Sequence, residues 1–300
     1  MEEYLKQILR HLPIQFVDEE ANEFVKYLSE AYTENLEKKK YQFAFTAFHM
    51  LNMIFVYKEK WFLKEQGNQD IIDALNNQGN KSFNDLFDLS QFNEKESLEL
   101  LLRTLKFHTN DFTKCRNHVD ARNHCSHAGG KIEYDEKGIH FLVDDEIKYV
   151  ERLQRKIQPE LRKFLQEFLE KNWQQTFISG DFKNLFEENY FSLKDLEVMS
   201  AVDLPLFRKK SNNEENIKQK VLYLLLIFEI QNQIENQKNL FLEKLPIFMI
   251  DLPEIIKIKR DNDKDKIHTN EIIEEFLIPI ISNFSDEDRK KAEEILKLGE

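Results

Sequence analysis

Apolar residues recur through the first half of the chain at the three- and four-residue spacing of a helix face. Leu98, Leu101, Leu102 and Leu105 mark one such face and predict a helix over residues 97–107. Residues 20–36 carry a second amphipathic stripe, and residues 41–63 are apolar on most sides, the pattern of a helix surrounded by others. Asn110-Asp111 reads as the start of the next helix, which runs through Arg116 and Arg122, and Gly129-Gly130 reads as its end. The period then changes. Ile132 and Tyr134, then Ile139, Phe141 and Val143, alternate with other residue types around Asp135-Glu136-Lys137-Gly138, which predicts a short β-hairpin. A long helix follows, striped by Val150, Leu153, Ile157, Leu161, Phe164 and Phe168, with a kink expected at Pro159. The pattern loosens near Ser179-Gly180. Past that point, residues 217–234 read as a strong helix, and Ser285 with Asp288 reads as a capping box opening a last helix over residues 286–298. The expected architecture is mainly α: a helical domain over residues 1–175 with a hairpin insertion, then a smaller helical domain over residues 176–300.

Composition supports this class. Only 7 Gly and 6 Pro occur in 300 residues, too few for the many turns of an all-β fold. With 41% hydrophobic residues and 25 Phe, the chain can bury a substantial core. Its 2 Cys, ten positions apart, make no disulfide framework and point to a reducing, cytoplasmic compartment. The first six residues lack a basic segment ahead of an apolar run, so no signal peptide is expected. The longest apolar stretch, residues 41–57, is interrupted by Gln42, Thr46, His49 and Asn52, and suits a buried helix better than a membrane span. The net charge of −12 opposes generic binding to nucleic acid. An RNA substrate would need a local basic site within an acidic surface.

Residues 114–131 supply such a site. They hold Lys114, Arg116, Arg122 and Lys131 against one acid, Asp120, together with His118, His124 and His127. A ribonuclease that works without metal needs this combination. An imidazole, whose pKa lies near neutrality, takes the 2′-hydroxyl proton or protonates the leaving oxygen. A guanidinium stabilises the charge that builds on the phosphoryl oxygens.

Arg122, four intervening residues and His127 resemble the Arg-x4–6-His motif of HEPN domains, with a polar residue, Asn123, directly after the arginine and small residues, Ala128 and Gly129, after the histidine. The resemblance covers roughly residues 1–172. It implies a HEPN-like helical bundle and a metal-independent endoribonuclease that leaves 2′,3′-cyclic phosphate ends, in phage defence or stress response. It also implies a homodimer whose active site forms where two motifs meet. Arg122, His127 and Asn123 are the catalytic candidates; Arg116, His124 and Lys131 are candidates for substrate binding. No metal or other cofactor is expected, and a regulatory protein partner is possible within the family. Some relatives carry a Tyr two positions after the motif histidine as a modification site; this chain has Gly129 there.

Arg122 and His127 lie about 140° apart around a straight helix, whereas Arg116, Asp120, Asn123 and His127 share a face. A second Arg-x4-His match, Arg103 to His108, reads as surface residues of a core helix. Three alternatives stand beside the ribonuclease. Cys115, His118, His124, Cys125 and His127 are rich in zinc ligands but do not converge on one helix. Cys125 beside His124 could be a nucleophile, although a buried inert thiol is commoner. The bundle could also be a catalytically inactive scaffold or regulatory binding module. His11, His49, His108, His140 and His268 read as structural or exposed.

Overall fold

A computed structural model describes residues 1–77, 83–126, 134–172, 179–202, 214–233 and 290. These residues are mainly α-helical, and no β-strand occurs among them; Pro13 and Ser192 form an isolated antiparallel bridge. No helix among them is long and apolar enough to cross a membrane. The α-helices are α1 (Glu2–Leu9), α2 (Glu19–Glu37), α3 (Tyr41–Glu65), α4 (Gln69–Asn76), α5 (Glu94–Thr104), α6 (Thr109–Ser126), α7 (Glu136–Asn172), α8 (Ser179–Glu188), α9 (Leu193–Ser200) and α10 (Glu214–Gln233). A 3-10 turn, Phe87–Gln91, precedes α5. The helix expected over residues 286–298 lies, except for Lys290, outside the described residues.

Side-chain caps start several helices. Asp18 accepts from the Glu20 N–H, Asn68 from Ile71 N–H and Asn93 from Lys95 N–H, each satisfying a donor that has no partner within its own helix. The ends are less usual. After α2, α3, α5 and α8, a pair of backbone hydrogen bonds closes the turn around a left-handed residue, as when Lys40 N–H reaches Asn35 O and Lys39 N–H reaches Leu36 O. Gly67 fills that position once; Lys39, Lys106 and Tyr190 fill it with φ between 53° and 56°. A glycine-poor chain therefore stops its helices by accepting left-handed strain at three bulky residues.

The chain divides into two compact units, Met1–Leu161 with Leu185–Asp195, and Arg162–Asn184 with Leu196–Glu300. The division falls within α7, between Asn184 and Leu185, and within α9 between Asp195 and Leu196. Pro159 lies inside α7 without ending it.

In the first unit α3 is the hub. It packs against α1, α2, α4, α5 and α6, and most of its side chains are buried, including Lys58, Glu59 and Lys60. The buried Lys58 ammonium reaches Asp195 Oδ2 at 2.5 Å, and Gln154 Nε2 donates to Asp195 Oδ1 at 2.7 Å, which pins residues 185–195 to α3 and α7. In the second unit, Tyr223 of α10 is buried and its hydroxyl donates to the Ser200 carbonyl at 3.1 Å.

The expected hairpin is corrected on its second arm. Ile139, Phe141 and Val143 belong to α7; Ile132 lies outside the described residues. Ile139, Val143 and Ile147 are buried while Phe141 is 68% exposed. A strand would have turned all three of Ile139, Phe141 and Val143 to one side; the burial follows the four-residue period instead. The alternation seen in five residues was a fragment of a helical stripe that becomes plain only when Ile147 and Val150 are included.

Candidate functional site

The site is built where α6 lies against α5. Asn93 caps α5 and so fixes the first turn of that helix, placing Glu94 and Lys95 at its N-terminus. Three ion pairs cross from this helix to α6: Arg116 Nε to Glu99 at 2.6 Å, Lys95 to Asp120 at 2.6 Å, and Arg122 to Glu94. In each of the first two at least one partner is substantially exposed (Arg116; Lys95 and Asp120), so they contribute little to stability. The third differs. Arg122 and Glu94 have side chains only 24% and 23% exposed, and behind Glu94 stands a fully buried histidine.

That histidine is His49 of α3. Its Nδ1 lies 2.5 Å from Glu146 of α7, and its Nε2 lies 3.6 Å from Glu94 Oε2. Burial pushes the imidazole pKa down, but the carboxylates of Glu146 and then Glu94 outweigh it, raising it to about 9. His49 is therefore an imidazolium at neutral pH. Glu94 is treated likewise: burial pushes its carboxyl up, and the imidazolium of His49 followed by the guanidinium of Arg122 brings it net below the usual value. A line of alternating charge thus runs from the core to the surface: Glu146, His49, Glu94, Arg122.

The line ends on a pocket of about 680 Å³. Phe24, Met50, Met53, Phe87 and Phe92 contribute its apolar walls. Asn93, Glu94, Lys95, Arg122 and Asn123 contribute polar ones. Two of the three catalytic candidates, Arg122 and Asn123, are therefore together on one pocket wall. His127 and Lys131 lie outside the described residues. Arg116 and His124 are exposed on α6 and do not line the pocket. Asp120, on the same helix face as Arg116, is paired with Lys95.

Among the described residues no three of His, Cys, Asp and Glu come together as metal ligands. His118 is buried and bonds Asp145 at 2.7 Å, turned toward α7. Cys115 and Cys125 are both buried free thiols; burial raises their pKa values to about 12 and about 11, so neither is a thiolate at neutral pH. Arg103 and His108, the second motif match, are exposed, with Arg103 3.5 Å from Glu99.

Sequence reasoning passed over His49, Glu94 and Glu146. His49 was grouped with structural or exposed histidines, and it is indeed buried. The available signal was a polar, titratable residue inside the most apolar stretch of the chain, where a buried His needs partners.

Comparison of the chain with models of known families, with curated proteins and with solved structures finds no match.

Proposed function

We propose that the protein is a metal-independent endoribonuclease of HEPN type, acting in the cytoplasm in phage defence or stress response. The observation that carries this reading is that Arg122 and Asn123, the described part of the Arg-x4-His motif, line one pocket at the end of α6. In the reaction the ribose 2′-oxygen attacks the adjacent phosphorus, the bond to the 5′-oxygen breaks, and a 2′,3′-cyclic phosphate and a 5′-hydroxyl result. His127 takes the 2′-hydroxyl proton or protonates the departing 5′-oxygen, two histidines from a homodimer sharing the tasks. Arg122 stabilises the negative charge on the nonbridging oxygens. Asn123 orients the phosphate, and Arg116, His124 and Lys131 bind the strand through its backbone.

One observation favours a second reading, a catalytically inactive binding module. The Arg122 guanidinium is already held by Glu94, so its charge is partly spent within the protein. The two readings separate on labelled single-stranded RNA incubated in EDTA with wild type, Arg122→Ala and His127→Ala. The ribonuclease reading expects cleavage by wild type alone, with cyclic phosphate ends, and a mass in solution of two chains. Equal cleavage by either variant removes these residues from the mechanism. RNA bound but left whole by wild type selects the binding module.

A further inference from the structure

The pocket beside Arg122 has a composition more selective than an anion site requires. Its two cations are matched: Arg122 pairs with Glu94, and Lys95 pairs with Asp120. Arg122 Nε and Glu94 Oε2 are buried without a hydrogen-bond partner, and beside them stand neutral polar residues. Asn123, Asn93, Tyr57 and Ser90 line the pocket, and among the described residues their side chains make no hydrogen bond beyond the Asn93 Oδ1 cap on Lys95 N–H. Phe24, Phe87 and Phe92 line the same pocket. Phe24 and Phe87 meet edge to face, with centroids 6.3 Å apart and planes at 77°. The volume of about 680 Å³ lies within the range of small-molecule sites.

These features narrow the ligand. A simple anion would leave the aromatic residues and the neutral polar groups unused. A purely apolar ligand would leave two amides and two hydroxyls unbonded. A planar heterocycle with donors and acceptors on its edge satisfies both halves: its face lies on the aromatic wall and its edge meets the amides. Unstacked bases of single-stranded RNA are recognised in this way, by stacking on aromatic side chains and hydrogen bonds to their edges.

We infer that this pocket is a base-specificity subsite, which takes one unstacked nucleobase of an RNA strand and brings the neighbouring phosphate to Arg122. The inference rests on the ribonuclease reading for the identity of the strand. It stands on its own for the pocket's taste in ligands. Phe24 and the phenyl ring of Phe87 supply stacking, and Asn123 and Asn93 read the base edge.

The test uses the full chain. Saturation-transfer NMR with adenosine, guanosine, cytidine and uridine registers ligands even at millimolar affinity. At least one nucleoside is expected to receive saturation, undiminished by inorganic phosphate. Phe24→Ala and Ser90→Trp should each weaken it, the first by removing a wall and the second by filling the pocket from its exposed rim. Both positions are partly exposed, so both variants keep the fold, checked by thermal melting. In parallel, the His127→Ala chain is titrated with short RNAs in which each base in turn is replaced by an abasic ribose. Loss of one base is expected to cost roughly ten-fold in affinity, and that penalty should vanish in the Phe24→Ala and Ser90→Trp backgrounds. Absence of transfer from all four nucleosides, or transfer and abasic penalties unchanged in both variants, overturns the subsite. Cleavage of RNA that depends on His127 in that case keeps the ribonuclease and discards only the pocket. Nucleoside binding sensitive to both variants, without cleavage by wild type, keeps the pocket and discards the ribonuclease.

Discussion

Two buried ionic clusters lie on α3, nine residues apart, and they are built to different ends. Around Lys58 the Asp195 side is closed, whereas both carboxylate oxygens of Glu59, which lies 2.8 Å from Lys58 Nζ, are buried without a hydrogen-bond partner. Asp195 Oδ2 accepts from Lys58 Nζ, from the Ser192 backbone N–H and from the Ser192 hydroxyl, while Oδ1 accepts from Gln154, whose own carbonyl faces His11 Nδ1 at 3.2 Å. Around His49 the bonding is incomplete. His49 Nε2, Glu94 Oε2, Glu146 Oε2 and Arg122 Nε are all buried without a hydrogen-bond partner, and the cluster ends on a pocket. A satisfied buried network fixes a fold; a partly satisfied one that reaches a cavity marks a place where binding can complete it. Both clusters keep unpartnered buried oxygens; the difference is that the Lys58 cluster ties a chain segment down, while the His49 cluster reaches a pocket lined by Glu94 and Arg122.

The largest effect should come from opening the Lys58 cluster. Asp195→Ala leaves Lys58 buried with a reduced set of partners and is expected to cost about 3–5 kcal/mol in denaturant unfolding. Replacing all three charges, Lys58→Met with Glu59→Leu and Asp195→Leu, should recover much of that loss. A cost near zero for Asp195→Ala would erase the difference between the clusters.

The open cluster should declare itself through pH. The folded pKa of His49, about 9, lies above its ordinary 6.5. Its contribution to stability is therefore complete below pH 6.5 and is lost as pH rises through about 9, a change on the order of 3 kcal/mol. Lys60 acts in the opposite sense. Burial lowers it to about 7 from 10.5, so stability recovers as pH climbs between those values. The difference between wild type and His49→Gln removes the Lys60 contribution and should shrink between pH 6.5 and 9. A difference flat across that range would show that His49 is neutral in the fold.

A smaller effect concerns Arg122. Glu94→Gln frees its charge without removing its hydrogen-bond acceptor. On single-stranded RNA, affinity should rise and its dependence on salt should steepen by about 0.7 in the logarithmic slope, the value of one further phosphate contact. An unchanged slope would mean that Arg122 does not meet the backbone. The smallest effect lies at two helix ends. Lys39→Gly and Lys106→Gly relieve left-handed strain at helix ends, and each should stabilise by about 1 kcal/mol, read as a rise in Tm.

Local periodicity determined the helices wherever a stripe ran for three turns or more. The helices read at residues 20–36, 41–63 and 217–234 fall within a few positions of α2, α3 and α10, because burial against any neighbour imposes the same 3.6-residue spacing. Ile139 to Val143 was misread because five residues cannot separate a period of two from a period of four. The motif and its helix also singled out Arg122 and Asn123 from the sequence alone. What surrounds them was a tertiary decision. His49 and Glu146 are 97 positions apart and meet only because α3 and α7 pack together, and Glu94 joins them from a third helix. No local pattern specifies which buried carboxylate will face which buried imidazole; that follows from how helices cross, and the shifted charges of His49 and Glu94 follow from the burial that crossing creates.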